Sequence, residues 1–216
     1  SIQYADGVCF SEGDEAVLDL AARMEAGRDY LSTPNMAFKN NGRMIRNEVL
    51  PPFTDLDSLP YYDYDFTDQF LLDKDLIQMS KNLFKERVTG YPYYVPTFYV
   101  LTSRGCPHNC SYCNNCRYIA LFRRNPIRFQ SVDRILDEIS STVRNLDFIQ
   151  FIGFGDDDFF ARKTEEIECF AEKYKSRIGL PFAVAVSANS YSKQKMEILL
   201  GAGLKAVQMG VQSGSE

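Results

Sequence analysis

The chain has 216 residues, 45% of them hydrophobic and 13% aromatic, which predicts a soluble globular protein with core enough for one substantial domain or two small ones. The net charge of -5 is unevenly divided: residues 1–90 carry 16 acids against 9 bases and residues 91–216 carry 13 against 15. The halves therefore read as different modules, and neither is basic enough for nucleic-acid binding to be expected. No run approaches the ~18 consecutive apolar residues of a membrane helix, and the start lacks the basic and apolar regions of a secretory leader, so a cytoplasmic protein with no membrane partner is predicted.

In chain order, Ser11 opens a segment running to Gly27 in which Val17, Leu20, Ala21 and Met24 recur at helical spacing. Ser11 with Asp14 resembles a capping box, and Gly27 is a stop signal. From Pro34 to about Phe66 the periodicity dissolves. Asn41-Gly42 suggests a short hairpin, and the mixture of proline, acid and aromatic residues that follows reads as an extended linker. The tyrosines of "YYDYDF" and "YPYYVP" read as packing residues, and Cys9 and Cys169 as buried apolar ones.

After Tyr91 the rhythm changes. "YVPTFYVLTS" is a buried-strand pattern, followed by a helix from Ser131 to about Leu146 with Ile135, Leu136, Ile139 and Val143 on one face. Then come a strand in "DFIQFIGFG", a helix over Glu165 to Arg177, a strand in "PFAVAVSAN", a short helix in "SKQKMEILLGAG" and a strand in "KAVQMGVQSG". Strands alternating with helices predict successive βα units and a parallel sheet. Each strand runs into polar residues: "SRGC", "GDDDF", "SAN", "QSGSE". In a parallel α/β sheet these ends open on one face, where such folds bind ligands, so four strand ends point to one site. Of the acids Asp156, Asp157 and Asp158, at least one is expected to face solvent or cap the following helix.

Four of the six cysteines and the single histidine fall within "SRGCPHNCSYCNNC". Spacings of two and three residues favour a metal over a disulfide framework. Cys106, Cys110 and Cys113, spaced C-x3-C-x2-C, can hold three irons of a 4Fe-4S cube and leave the fourth open for chemistry. A structural zinc site completed by Cys116 or His108 is an alternative, as is a ferredoxin-like electron-transfer site, since Cys110, Cys113 and Cys116 also spell C-x2-C-x2-C. Both alternatives amount to a non-enzymatic metal-binding module.

The segment "CPHNCSYC" at a strand end, followed by "FIGFGDDDFF" and "VQMGVQSGSE", resembles the radical S-adenosylmethionine (SAM) enzymes. More narrowly, the chain is similar to the branch with an N-terminal cobalamin-binding domain, which includes anaerobic magnesium-protoporphyrin IX monomethyl ester cyclase-like proteins and many methyltransferases. The resemblance implies an α/β fold: a partial TIM-like radical SAM barrel of four βα units, preceded by the tail of a Rossmann-like cobalamin-binding domain. It implies that Cys106, Cys110 and Cys113 bind a 4Fe-4S cluster whose open iron is chelated by SAM. Reductive cleavage of SAM to a 5'-deoxyadenosyl radical follows, with methyl transfer or ring formation as the outcome and a flavodoxin- or ferredoxin-type reductant as partner. Tyr112 takes the position near the adenine; Asp156, Asp157, Gln212 and Ser213 fall where the branch meets SAM, with Ser187 and Asn189 as further candidates.

Two departures stand out. Cys116 is not required by the family pattern, and the Asp-x-His-x-x-Gly motif of many cobalamin-binding domains is absent, since the one histidine is His108. The basic residues Arg117, Arg123, Arg124 and Arg128 are candidates for steering an acidic reductant. The organisation expected is residues 1–33 as the tail of a cobalamin-binding domain, 34–90 as connector and 91–216 as the first half of a radical SAM domain, the whole being a piece of a longer protein.

Overall fold

A computed structural model describes residues 4–90, 92–123, 127–212 and 214 of the chain. It forms two compact units, Ser1–Thr54 and Asp55–Glu216.

The first unit is a small antiparallel sheet with one helix. Strands β1 (Gly7–Cys9), β2 (Met36–Asn40) and β3 (Arg43–Arg46) lie in that order, and helix α1 (Asp14–Glu25) joins the first two. The hairpin expected at Asn41-Gly42 is present: both residues have positive φ, 49° and 75°, as a two-residue turn matched to the strand twist requires. The helix differs from expectation at its start. Its N-cap is Gly13 with no side-chain hydrogen bond, and the Ser11 hydroxyl is buried without a hydrogen-bond partner, so Ser11 and Asp14 do not form a capping box. The buried stripe is rotated as well. Ala16 is buried and Leu20 packs in the same cluster with Met36 and Phe38, beside Cys9 and Leu31, whereas Val17 and Met24 are exposed.

The second unit opens with a hairpin, β4 (Phe70–Asp73) and β5 (Asp75–Gln78), a short helix α2 (Lys81–Arg87) capped by Ser80, and strand β6 (Thr89–Gly90). Its main sheet then follows the alternation read from the sequence. Strands β7 (Val95–Val100), β10 (Phe151–Phe154), β11 (Phe182–Val186) and β12 (Leu204–Met209) are parallel neighbours in chain order, and β6 runs antiparallel on the far side of β7. Between β7 and β10 lie β8 (Ser103–Arg104), α3 (Asn115–Phe122), β9 (Arg128–Phe129) and α4 (Val132–Asn145); α5 (Thr164–Arg177) and α6 (Lys193–Ala202) connect the later strands.

Serines cap two of these helices. Ser131 Oγ accepts from Arg134 N at the start of α4, and Ser192 Oγ from Lys195 N at the start of α6. Helix α6 ends at Gly203 with φ 113°, a conformation that suits glycine. One face of the sheet packs on the helices. Ile135, Leu136 and Ile139 of α4 and Ile167 of α5 are fully buried against Phe98, Ile152 and Phe182 of the strands. On the opposite face Gly153 gives the Tyr99 ring its place, since a Cβ there would lie 2.6 Å from the ring. Cys9 and Cys169 are half-buried rather than fully so. Among the described residues, no helix is long and apolar enough to cross a membrane.

Candidate functional site

The carboxyl ends of β7, β10 and β11 are joined by buried polar contacts, and the first of these holds the entry to the cysteine loop. Thr102 and Ser103 follow β7. Asp156, two residues past β10, accepts hydrogen bonds from both of their backbone amides at 2.7 Å and from the Thr102 hydroxyl at 2.5 Å. Arg162 completes the clamp from behind: its Nη2 donates to Thr102 O at 2.8 Å and to Thr102 Oγ1 at 2.9 Å, and its Nη1 lies 3.6 Å from Asp156 Oδ2. All three side chains are buried. The guanidinium also rests on the rings of Phe129 and Phe159, 4.6 and 5.0 Å away. Burial pushes Arg162 below its ordinary value, against the upward pull of Asp156 and Glu166. A charged pair so deep is tolerable because each partner is also hydrogen-bonded or stacked.

From this anchor the loop runs through Gly105, whose φ of 91° reverses the chain, to the cysteines. Cys106, Cys110, Cys113 and Cys116 are all half-buried free thiols. The His108 amide hydrogen-bonds Cys106, and the Asn115 amide donates to Cys113 Sγ at 3.5 Å. Burial pushes the Cys106 thiol up, and the nearby carboxylates of Asp157 and Asp158 push in the same direction, opposed by the His108 amide. Backbone amides aimed at sulfur are the donors that stabilise metal-bound thiolates and tune an iron-sulfur cluster, so Cys106 and Cys113 fit that group. Among the described residues no three His, Cys, Asp or Glu side chains converge on one point as a single metal ion needs. A cube places each thiolate on its own iron, so its ligands do not converge in that way.

Cys116 stands apart. It lies in the first turn of α3, with its amide donating to Cys113 O and its thiol directed at Ser111 O, 3.8 Å away. Tyr112 is largely exposed and shares a hydrogen bond with the Cys110 side chain.

The three consecutive acids have three different environments. Asp156 is committed to the clamp. Asp157 is exposed and accepts from Asn115 Nδ2 at 3.0 Å, which leaves it beside the start of α3. Asp158 is buried and caps the 3-10 turn Phe159–Ala161 through Phe160 N. Its carboxylate also meets His108 Nε2 at 3.1 Å and Ser190 Oγ at 2.8 Å. The sequence called for at least one acid facing solvent or capping the next helix; Asp157 is exposed, and Asp158 caps a 3-10 turn rather than α5.

After β11, Ser187 caps a second 3-10 turn, Ala188–Ser190, by accepting from Asn189 N at 3.3 Å, and Asn189 is exposed. Gln212 is exposed past the end of β12; Ser213 and Arg124 lie outside the described residues. The residues missed in the sequence are Thr102, Arg162 and Ser190. Arg162 stands next to Lys163 at the start of a charged stretch, so nothing in the sequence set it apart.

Comparison with known proteins supplies a family. A family model described as the radical SAM superfamily matches residues 100–216, more than half of the chain. An uncharacterised methyltransferase of Pyrococcus horikoshii is 25% identical over 97% of this chain and 41% of its own length. An anaerobic magnesium-protoporphyrin IX monomethyl ester cyclase of Rubrivivax gelatinosus is 22% identical over 99% of this chain and 35% of its own. The chain thus spans well under half the length of these relatives. Among solved structures, the cobalamin-dependent SAM radical enzyme OxsB superposes with a TM-score of 0.70 at 16% identity, over 97% of this chain and 28% of that one. The radical SAM methyltransferase TsrM from Kitasatospora setae does so with a TM-score of 0.66 at 17% identity, over 95% and 37%. At these identities the likeness is one of fold, and it agrees with the partial α/β barrel expected from the sequence.

Proposed function

Because this chain belongs to the radical SAM superfamily, we propose that it forms the radical-generating part of a SAM-cleaving enzyme working in the cytoplasm. The observation that carries this reading is the cysteine loop: three thiols at C-x3-C-x2-C spacing, inside the matched region, on a loop pinned at the end of a parallel strand. Cys106, Cys110 and Cys113 hold a 4Fe-4S cluster. When bound, the cluster supplies the electron that cleaves the SAM sulfonium bond to methionine and a 5'-deoxyadenosyl radical. The chain's own residues prepare that event. Amides of His108 and Asn115 balance the negative charge on two sulfurs, and the Asp156 clamp fixes where the loop begins. Asp157, an exposed carboxylate beside the loop, receives the SAM amino group; Tyr112, Ser187, Asn189 and Gln212 line the rest of the SAM site. Asp156 has its oxygens engaged by Thr102 and Ser103 and acts by holding the loop rather than by touching SAM.

The names of the relatives and structural neighbours support a cobalamin-dependent methyl transfer or ring formation in the full-length protein. Residues 1–33 are taken as the tail of a cobalamin-binding domain and 34–90 as connector, with the amendment that the compact unit containing the tail runs on to Thr54 because β1 pairs with β2. The Asp-x-His-x-x-Gly motif is not in this chain, whose one histidine, His108, lies in the cysteine loop with its ring against Asp158. Arg117 and Arg123, at and just past α3, suit the docking of an acidic flavodoxin- or ferredoxin-type reductant.

Anaerobic reconstitution with iron and sulfide tests the reading. A 4Fe-4S absorption and electron paramagnetic resonance (EPR) spectrum that changes on adding SAM is the expected result, with 5'-deoxyadenosine formed by the full-length protein under reduction. Tight colourless zinc binding with no response to SAM would overturn it.

A further inference from the structure

Asp158 brings together three parts of the chain that are remote in sequence. Its side chain is wholly buried. Oδ2 faces His108 Nε2 in the cysteine loop, between the first two cysteines, and Oδ1 accepts from Ser190 Oγ in the turn after β11 and from Phe160 N. The two outer partners are also tied to groups of the proposed site. The His108 amide bonds Cys106, two residues back, and the Ser190 amide donates to Ser187 O, closing the turn that carries Asn189, while the single hydroxyl proton of Ser190 goes to Asp158, the shorter of its two acceptor contacts. We propose that Asp158 is a positioning residue that fastens the turn after β11 to the cysteine loop through Ser190 and His108, so that two walls of the SAM site move as one body.

The physical reason is the cost of a buried acceptor. A carboxylate removed from water must keep its donors, and each donor lost leaves an oxygen short of a partner in a place that water does not reach. Opening the Ser190 contact while His108 stays, or the reverse, carries that cost without the freedom gained by opening both, so the two legs reinforce each other. A side chain serving as a local helix cap alone would need only Phe160 N. The acid sits one residue past the exposed Asp157, so the same short run supplies both a ligand-facing carboxylate and the fastener behind it. This inference rests on the SAM-site reading above for its functional meaning, but the fastening itself is testable without any cofactor.

The test uses His108→Phe in the full-length, cluster-free protein, with hydrogen exchange at the amides of Asn189 and Ser190 as the readout. The variant keeps the three cysteines and the His108 backbone amide and removes one leg. Exchange at those amides should rise about tenfold, the size expected when one hydrogen bond to a buried charged group is lost. His108→Gln, which keeps a side-chain N–H donor, should restore much of the protection. Ser190→Ala, read at the amides of Cys106, His108, Asn109 and Cys110, provides the reciprocal measurement should His108→Phe fail to fold. After reconstitution, the His108→Phe protein should carry as much cluster as the unaltered protein but need about tenfold more SAM for the same change in the EPR spectrum. Wild-type exchange at 189 and 190 in His108→Phe, or unchanged exchange at 106 and 108–110 in Ser190→Ala, overturns the proposal. Altered exchange together with an unaltered protein that never responds to SAM supports the fastening and overturns the SAM reading instead.

Discussion

At the scale of single residues, the site separates groups that face a ligand from groups that hold those groups still. Three side chains with the same chemistry, Asp156, Asp157 and Asp158, take three roles because of which neighbours fold onto them. Asp156→Ala leaves Arg162 buried without its counter-charge and two loop amides without an acceptor, and should cost about 3–5 kcal/mol in a denaturant melt. Asp157→Ala, at an exposed position, should change stability by less than about 0.5 kcal/mol while weakening SAM binding by titration. For the cysteines, Cys113→Ala should abolish the cluster spectrum and Cys116→Ala should leave it intact. Loss of the cluster in Cys116→Ala, with retention in Cys106→Ala, reverses the ligand assignment. Burial pushes several tyrosine hydroxyls up, Tyr174 among them, and that of Tyr64 is pushed up to about 12, first by burial and then by Glu138. The folded protein holds this proton more tightly than the unfolded chain, so the contribution is complete below pH 10 and is lost as pH rises toward 12. Tyr64→Phe should flatten the decline in melting temperature across that window.

At the scale of elements, the sheet depends on a few close fits. The Tyr99 ring lies over Gly153, and Gly153→Ala would force a Cβ to within 2.6 Å of it. Either the ring or β10 must shift, a destabilisation of about 1–3 kcal/mol that Tyr99→Leu in the same chain should relieve. Phe170→Ala in α5, opening a cavity beside Phe154, Phe159 and Phe182, should cost about 3–5 kcal/mol.

These same elements show what was legible in the sequence. Helix α4 could be read because Ser131 caps it and its apolar residues recur at one spacing, and α6 because Gly203 stops it. The hairpin β4–β5 was not, because Phe70, Leu72 and Leu76 alternate with nothing buried: those side chains are exposed, and the pairing comes from the backbone. Helix α3 was hidden inside the cysteine spacing. In the site, the cysteines and acids announced themselves by type and position. Thr102, Arg162 and Ser190 did not, since their roles arise only when segments 50 to 60 residues apart, or 32 in the case of Ser190, meet around a carboxylate.

At the scale of the whole molecule, chemistry and architecture meet at one end of a parallel sheet, as in other α/β folds. Strand β12 stands at the sheet's border with β11 as its neighbour, and Met209 at its end and Val211 just past it are exposed. An apolar border strand invites pairing with another chain, so residues 1–216 produced alone should associate with rising concentration in light scattering. A monomeric, cooperative unfolding transition would count against that expectation.

The clamp beneath the cysteine loop bears on the order in which the protein matures. Asp156, Thr102 and Arg162 fix the root of the loop with bonds that belong to the polypeptide alone. In a small zinc finger the metal is the keystone, and withdrawing it collapses the arch. Here the inorganic part is a passenger boarding a finished seat. Oxygen damage should therefore disarm the protein without unravelling it. A bleached sample should keep its circular dichroism and its melting temperature to within a few degrees, and should be rechargeable with iron and sulfide without passing through an unfolded chain.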